Sequence, residues 1–146
     1  MKSVRNSQRG TSLAETTIVM GVVLALIFGV IDFGRAMYTY AFVAQIAREG
    51  ARWAIVRGAQ CTQLDHCNAQ SSDVQTYVQS LSEGATNPAG IHAIATWPSC
   101  PAGATSTNEP GCTVSVNVTY TFAFIAPFVS HLTMQLSSTS QMVISQ

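Results

Sequence analysis

Apolar character rises abruptly after a polar start. Residues 1–10 carry three bases and no acid, and Ile18 to Ile31 then run for 14 residues without a polar side chain. Counted from Thr11 the run is 21 residues, broken mainly by Glu15 and a few hydroxyls. At about 1.5 Å per residue that length matches the roughly 30 Å hydrocarbon core of a bilayer. The pattern then changes without a break in helical period. Ala44, Ala47, Ala51 and Ala54 form a narrow stripe of small side chains, along which a sheet or second helix can lie close. Gly58 is a plausible stop. The reading is one long helix over 11–58, membrane-spanning over about 11–32.

The remaining residues, 59–146, read as a small α+β domain. Ser72-Asp73-Val74-Gln75 has the form of a capping box, Val74, Val78 and Leu81 make a short apolar stripe, and Gly84 ends it. Ile91 to Trp97 is a candidate strand. From Thr113 the alternation is strict: Val114, Val116, Val118, Tyr120, Phe122 and Phe124 share one face, with Thr113, Ser115, Asn117, Thr119 and Thr121 opposite. Ala126-Pro127-Phe128 breaks this strand. Leu132, Met134, Leu136, Met142 and Ile144 keep one parity across a final one. Three or four antiparallel strands with one apolar face need a cover, and the outer half of the long helix supplies it. The expected fold is therefore α+β: one long helix packed by its outer half on a small antiparallel sheet, with one short helix.

Charge divides the chain at the same place. Of 146 residues only 10% are charged, and seven bases balance seven acids. All seven bases lie within residues 1–57 beside Glu15, Asp32 and Glu49, net +4. Residues 58–146 hold Asp65, Asp73, Glu83 and Glu109 and no Lys or Arg, net −4. A balance without a basic surface argues against nucleic-acid binding, and the apolar content argues against disorder. The leading bases favour a cytoplasmic N-terminus and an exported C-terminal domain.

All four cysteines fall in the exported part, where an oxidising compartment favours disulfides. Four cysteines allow three pairings. Cys61–Cys67 and Cys100–Cys112 are favoured, since each closes a local loop beside the end of an element. The rival is a metal site from Cys61, His66, Cys67 and His92, whose spacing fits no zinc pattern. No metal and no cofactor are expected. His92 and His131 read as ordinary surface groups. No nucleophile–base pair, phosphate loop or paired carboxylates stand out, so neither an enzyme nor a small-molecule binder is expected.

Two readings of the apolar segment need no special chemistry: a cleaved secretory signal, or a plain anchor for an exported domain. Glu15 counts against both, because a carboxylate near a membrane helix costs a few kcal/mol unless it is neutralised. The sequence Arg9-Gly10-Thr11-Ser12-Leu13-Ala14-Glu15 resembles the processing site of type IV prepilins, with residues 1–10 as the leader. The resemblance implies cleavage after Gly10 by a prepilin peptidase. The freed amine of Thr11 would lie one helical turn before Glu15 and offer it a positive partner, in the same subunit or a neighbour, with the helix dipole adding to the attraction.

Further along, Gly29-Val30-Ile31-Asp32-Phe33-Gly34-Arg35-Ala36 is followed by Ala47-Arg48-Glu49-Gly50-Ala51-Arg52-Trp53-Ala54. These two segments resemble the TadE-like family of the tight-adherence (Tad/Flp) pilus systems, closely over residues 9–58. The resemblance implies a bacterial inner-membrane, single-pass protein with a periplasmic or extracellular C-terminal domain. It also implies a part in assembling or priming the pilus as a minor pilin or pseudopilin, with other pilus subunits as partners beside the peptidase and the bilayer. On physical grounds Gly21, Ala25 and Gly29, four apart, make a small-xxx-small stripe for a second membrane helix. Asp32 and Arg35 are spaced to pair near the outer membrane surface, as are Glu49 and Arg52 further out. Arg48 and Arg52 suit either subunit contacts or a solvated face. The alternative function is an unprocessed bitopic anchor that displays an extracytoplasmic binding domain.

Overall fold

The computed structural model describes residues 7–82, 88–127, 129 and 131–145. Helix α1 runs from Ser7 to Ile55. Helix α2 (Ser71–Leu81) follows, then a short 3-10 turn at Pro88–Gly90. Strands β1 (Ile91–Ser99), β2 (Thr113–Ala123) and β3 (Thr133–Val143) complete an antiparallel sheet of order β1-β2-β3. This is the expected α+β pilin-like arrangement of one long helix, one short helix and a small sheet.

The inner half of α1 is bare. Apart from half-buried Phe28, its apolar side chains from Leu13 to Ile31 are exposed around the whole helix, and α1 is long and apolar enough to cross a membrane. The outer half is one-sided. Val43, Ile46, Ala47, Gly50, Ala51 and Ala54 are buried against the sheet and α2, at the three-and-four spacing of an amphipathic helix. Facing them are Val114, Val116 and Val118 of β2, Ile91, Ala93 and Ala95 of β1, and Val74 and Val78 of α2. The opposite sheet face carries Asn117, Thr119, Thr139 and Gln141, together with exposed Ile94 and Val143, and no helix covers it.

Gly50 explains the tight fit. A Cβ there would come within 2.9 Å of Val78 Cγ2 and 3.4 Å of Val116 Cγ1, so its hydrogen lets α2 and β2 close on α1. A glycine inside a helix costs about 1 kcal/mol relative to alanine, and here that cost secures a three-way contact.

The two sheet edges differ. Helix α2 lies along β1 and satisfies three of its outward backbone groups. The Ala95 N–H donates to Ser71 Oγ (3.0 Å), the Ala93 N–H to Gln75 Oε1, and Gln75 Nε2 to the Ile91 carbonyl (3.4 Å). Such cover removes a template for unwanted strand pairing. Strand β3 forms the other edge. It pairs with β2 through all eleven of its residues, from Ala123↔Thr133 to Thr113↔Val143.

Several boundaries differ from expectation. Helix α1 stops at Ile55, three residues before Gly58. Arg57 folds back, donating from Nη1 to the Trp53 carbonyl (3.3 Å) and from Nε to the Asp65 carbonyl (3.0 Å). The Gly58 carbonyl accepts from Cys61 and Asn68 in the next turn. The capping box sits earlier than Ser72: the Gln70 N–H donates to Asp73 Oδ2 (2.8 Å), while Gln75 is drawn off to β1. Strand β2 ends at Ala123, so Phe124 lies beyond it. Gly84, Phe128 and residues 1–6 lie outside the described residues.

Candidate functional site: the helix–sheet joint and the exposed helix

Strand direction follows from two contacts. Near Asp32, α1 meets the turn after β2; at its far end the Ile55 carbonyl accepts from the Ser145 N–H (3.3 Å), just beyond β3. Strand β3 therefore runs alongside α1 in the same sense. The β2–β3 turn is the end of the domain nearest the bare helix, and the disulfide loops form the far end.

The near end is organised by Asp32, only 4% exposed. Its carboxylate accepts from the Ile125 N–H (3.1 and 3.2 Å to its two oxygens) and from the Ala126 N–H (2.9 Å). Arg35 Nη1 donates to Oδ1 at 3.1 Å, and the Arg35 guanidinium stands 5.1 Å from the centre of the Phe122 ring. The expected pair of Asp32 and Arg35 thus forms, and it also does something the spacing did not reveal: it holds the β2–β3 turn. A carboxylate with two backbone N–H donors and a cation is well satisfied although buried.

The residues of the two motif segments divide by direction. Asp32 and Arg35 face the sheet, whereas Phe33 is 68% exposed and a Cβ on Gly34 would meet nothing. In the second segment Ala47, Gly50 and Ala51 are buried while Arg48 and Arg52 point outward. Arg52 Nη1 reaches Glu49 Oε1 at 3.3 Å, on the exposed side. Half of each segment thus builds the domain and half faces its surroundings.

Along the bare helix, Gly10 and Thr11 lie inside α1. Glu15 is exposed. Thr16 and Thr17 donate their hydroxyls to the carbonyls of Ser12 and Leu13, each at 2.9 Å, which lets polar side chains sit on an apolar helix at low cost. Gly21, Ala25 and Gly29 form one exposed stripe, with open space around both glycines.

The far end is covalently closed. Disulfides join Cys61 to Cys67 and Cys100 to Cys112, which removes these thiols from any metal site. Buried Asn108 stitches the two loops together: its Nδ2 donates to Asn68 Oδ1 (3.2 Å) and to the Ala69 carbonyl (3.1 Å), and its carbonyl accepts from the Ala59 N–H (2.7 Å). Glu109 orders the second loop by accepting from the Thr105 hydroxyl and from the N–H groups of Thr105 and Ser106 (3.1 Å each). Those bonds, the Thr105 hydroxyl first, hold its carboxyl below the usual range. Trp53 stacks on Tyr77 (centroids 5.1 Å apart, 18°) with Arg57 over its ring at 4.2 Å. Among the described residues no cluster of His, Cys, Asp and Glu is arranged to hold a metal ion.

Asp32, Asn108 and Gln75 are the residues whose roles the sequence did not announce. Only Asp32 carried a signal, as an acid at the edge of a hydrocarbon-length run. No curated protein and no solved structure matches the chain. A family model described as TadE-like protein matches residues 10–52. The matched span starts at Gly10, takes in the bare helix and the Asp32 joint, and ends at Arg52 on the packed half. Over residues 10–52, from the bare helix to its packed outer half, the chain is similar to the TadE-like family.

Proposed function

We propose that the protein is a minor pilin-like or pseudopilin-like membrane subunit that takes part in assembling or priming a Tad/Flp pilus. The observation that carries this reading is the TadE-like match itself, which begins at Gly10 and includes Glu15 and the apolar helix. In this reading α1 anchors the chain in the bacterial inner membrane with the N-terminus in the cytoplasm. A prepilin peptidase adds water across the Gly10–Thr11 amide, leaving a carboxylate on Gly10 and an ammonium on Thr11. Three bases depart with the leader. The new ammonium sits at the positive end of the helix dipole and pairs with a Glu15 carboxylate, which sets the register of neighbouring helices. Gly21, Ala25 and Gly29 admit a second helix at close range. The reaction belongs to the peptidase, and the protein itself acts by assembly and not by catalysis.

The test is the intact mass and N-terminal sequence of protein extracted from membranes. A chain starting at Thr11 is expected, and Gly10→Ile should retain the full leader. A wild-type chain that keeps Met1 would sink the pilin reading in favour of a bitopic anchor. Glu15→Gln should still be cleaved but should fail to co-purify with other pilus subunits.

A further inference from the structure

The β2–β3 turn stands at the depth where α1 leaves its apolar run. Ile31 is the last residue of that run, and the next residue, Asp32, holds the backbone of Ile125 and Ala126 by direct hydrogen bonds. The turn therefore has a fixed height relative to the membrane-spanning segment. Its composition suits that height. From Thr121 to Leu132 the chain has no acidic or basic side chain apart from His131. Ile125 is 57% exposed and Leu132 48%, beside a helix whose Phe33 is also exposed. Scattered apolar residues on a protein surface need no explanation. These two belong to one charge-free stretch of chain, which Asp32 joins directly to the end of the bare apolar helix.

We propose that the β2–β3 turn is a second membrane contact: Ile125 and Leu132 enter the outer interfacial layer of the same bilayer that α1 crosses. Asp32 is the positioning residue that locks the turn at this depth. The occupant of this face is lipid. The face continues the lipid-exposed surface of α1, and a neutral apolar turn beside a hydrocarbon-length helix matches the boundary between acyl chains and headgroups. The domain then has two points of attachment, helix and turn, and is held at a fixed tilt instead of swinging on a single stalk. The inference rests on the reading of α1 as a membrane span.

The test uses full-length protein in vesicles of phosphatidylethanolamine and phosphatidylglycerol containing brominated phosphatidylcholine, which quenches nearby tryptophan. Both native tryptophans lie toward the far end. Trp53 is 21 residues beyond Asp32, roughly 30 Å along the helix. Trp97 follows Thr96, which pairs with Ser115 near the distal end of β2. Wild-type emission should therefore be unaffected. Ile125→Trp and, separately, Leu132→Trp should lose emission when the bromines lie near the top of the acyl chains. Val23→Trp should lose it when they lie near the chain ends. Quenching of Val23→Trp without quenching of either turn variant would overturn the second contact alone. No quenching of Val23→Trp would overturn the membrane span and the inference with it. Emission from the turn variants that changes with protein density instead of bromine depth would assign the face to another copy and overturn the lipid contact.

Discussion

Asp32 shows how much one side chain can carry. Its carboxylate joins residues more than ninety positions apart in sequence. Replacing it with alanine leaves two backbone N–H groups without their acceptor, one of them on buried Ala126, and leaves the Arg35 guanidinium without its carboxylate. Unsatisfied buried groups cost about 1–3 kcal/mol each. Asp32→Ala should therefore lower stability by about that amount or more, and should speed amide hydrogen exchange at Ile125 and Ala126 ahead of the β2–β3 ladder. Exchange unchanged at those two amides would show that the turn is held by something else. Asp32→Asn keeps one acceptor oxygen and should fall in between.

At the scale of elements, the meeting of α1 with α2 and β2 turns on the absence of a methyl group. Gly50→Ala ordinarily gains up to about 1 kcal/mol in a helix. Here the new Cβ meets Val78, a branched and fully buried side chain that has little freedom to yield. Overpacking costs about 1–3 kcal/mol, so the net sign should be destabilising, read as a lower denaturation midpoint. Val78→Ala added to Gly50→Ala should recover part of the loss, and a stabilised single variant would contradict the close approach. The long helix, its small-residue stripe and the alternation of β2 were legible because each is a repeating pattern: Ala47, Ala51 and Ala54 return at helical spacing, Val114 to Phe122 at a period of two. Asp32 on the β2–β3 turn, Gln75 on the β1 edge and Asn108 between the disulfide loops were not. Each is a single side chain bonding distant backbone, and a lone contact across 18 to 94 residues leaves no period to read. The capping box slipped for the same reason, since Gln75 serves a strand instead of its own helix.

On the scale of the whole molecule, the chain is built between a bare apolar end and a cross-linked one. Each disulfide closes a short loop, of the kind worth about 2–3 kcal/mol, and the two loops share Asn108. Reduction should therefore lower the melting temperature and loosen both loops together. Protease sensitivity should appear first between Cys61 and Cys67 and between Cys100 and Cys112, while the helix–sheet core persists. Loss of the whole sheet at the same point as the loops would show that the cross-links support the core directly. Trypsin cannot report this, because residues 58–146 contain no Lys or Arg.

The parallel course of α1 and β3 has a mechanical meaning. The helix is fastened to the sheet near both ends of their contact, by Asp32 on one side and by the Ile55 carbonyl on the other. A pull along the helix, with the domain drawn one way and the bare helix held, loads that interface in shear. Every packed residue from Val43 to Ala54 then shares the tension at once, where a perpendicular pull would unzip them one by one. Tension between the bare helix and the domain is thus borne along the axis of α1 itself.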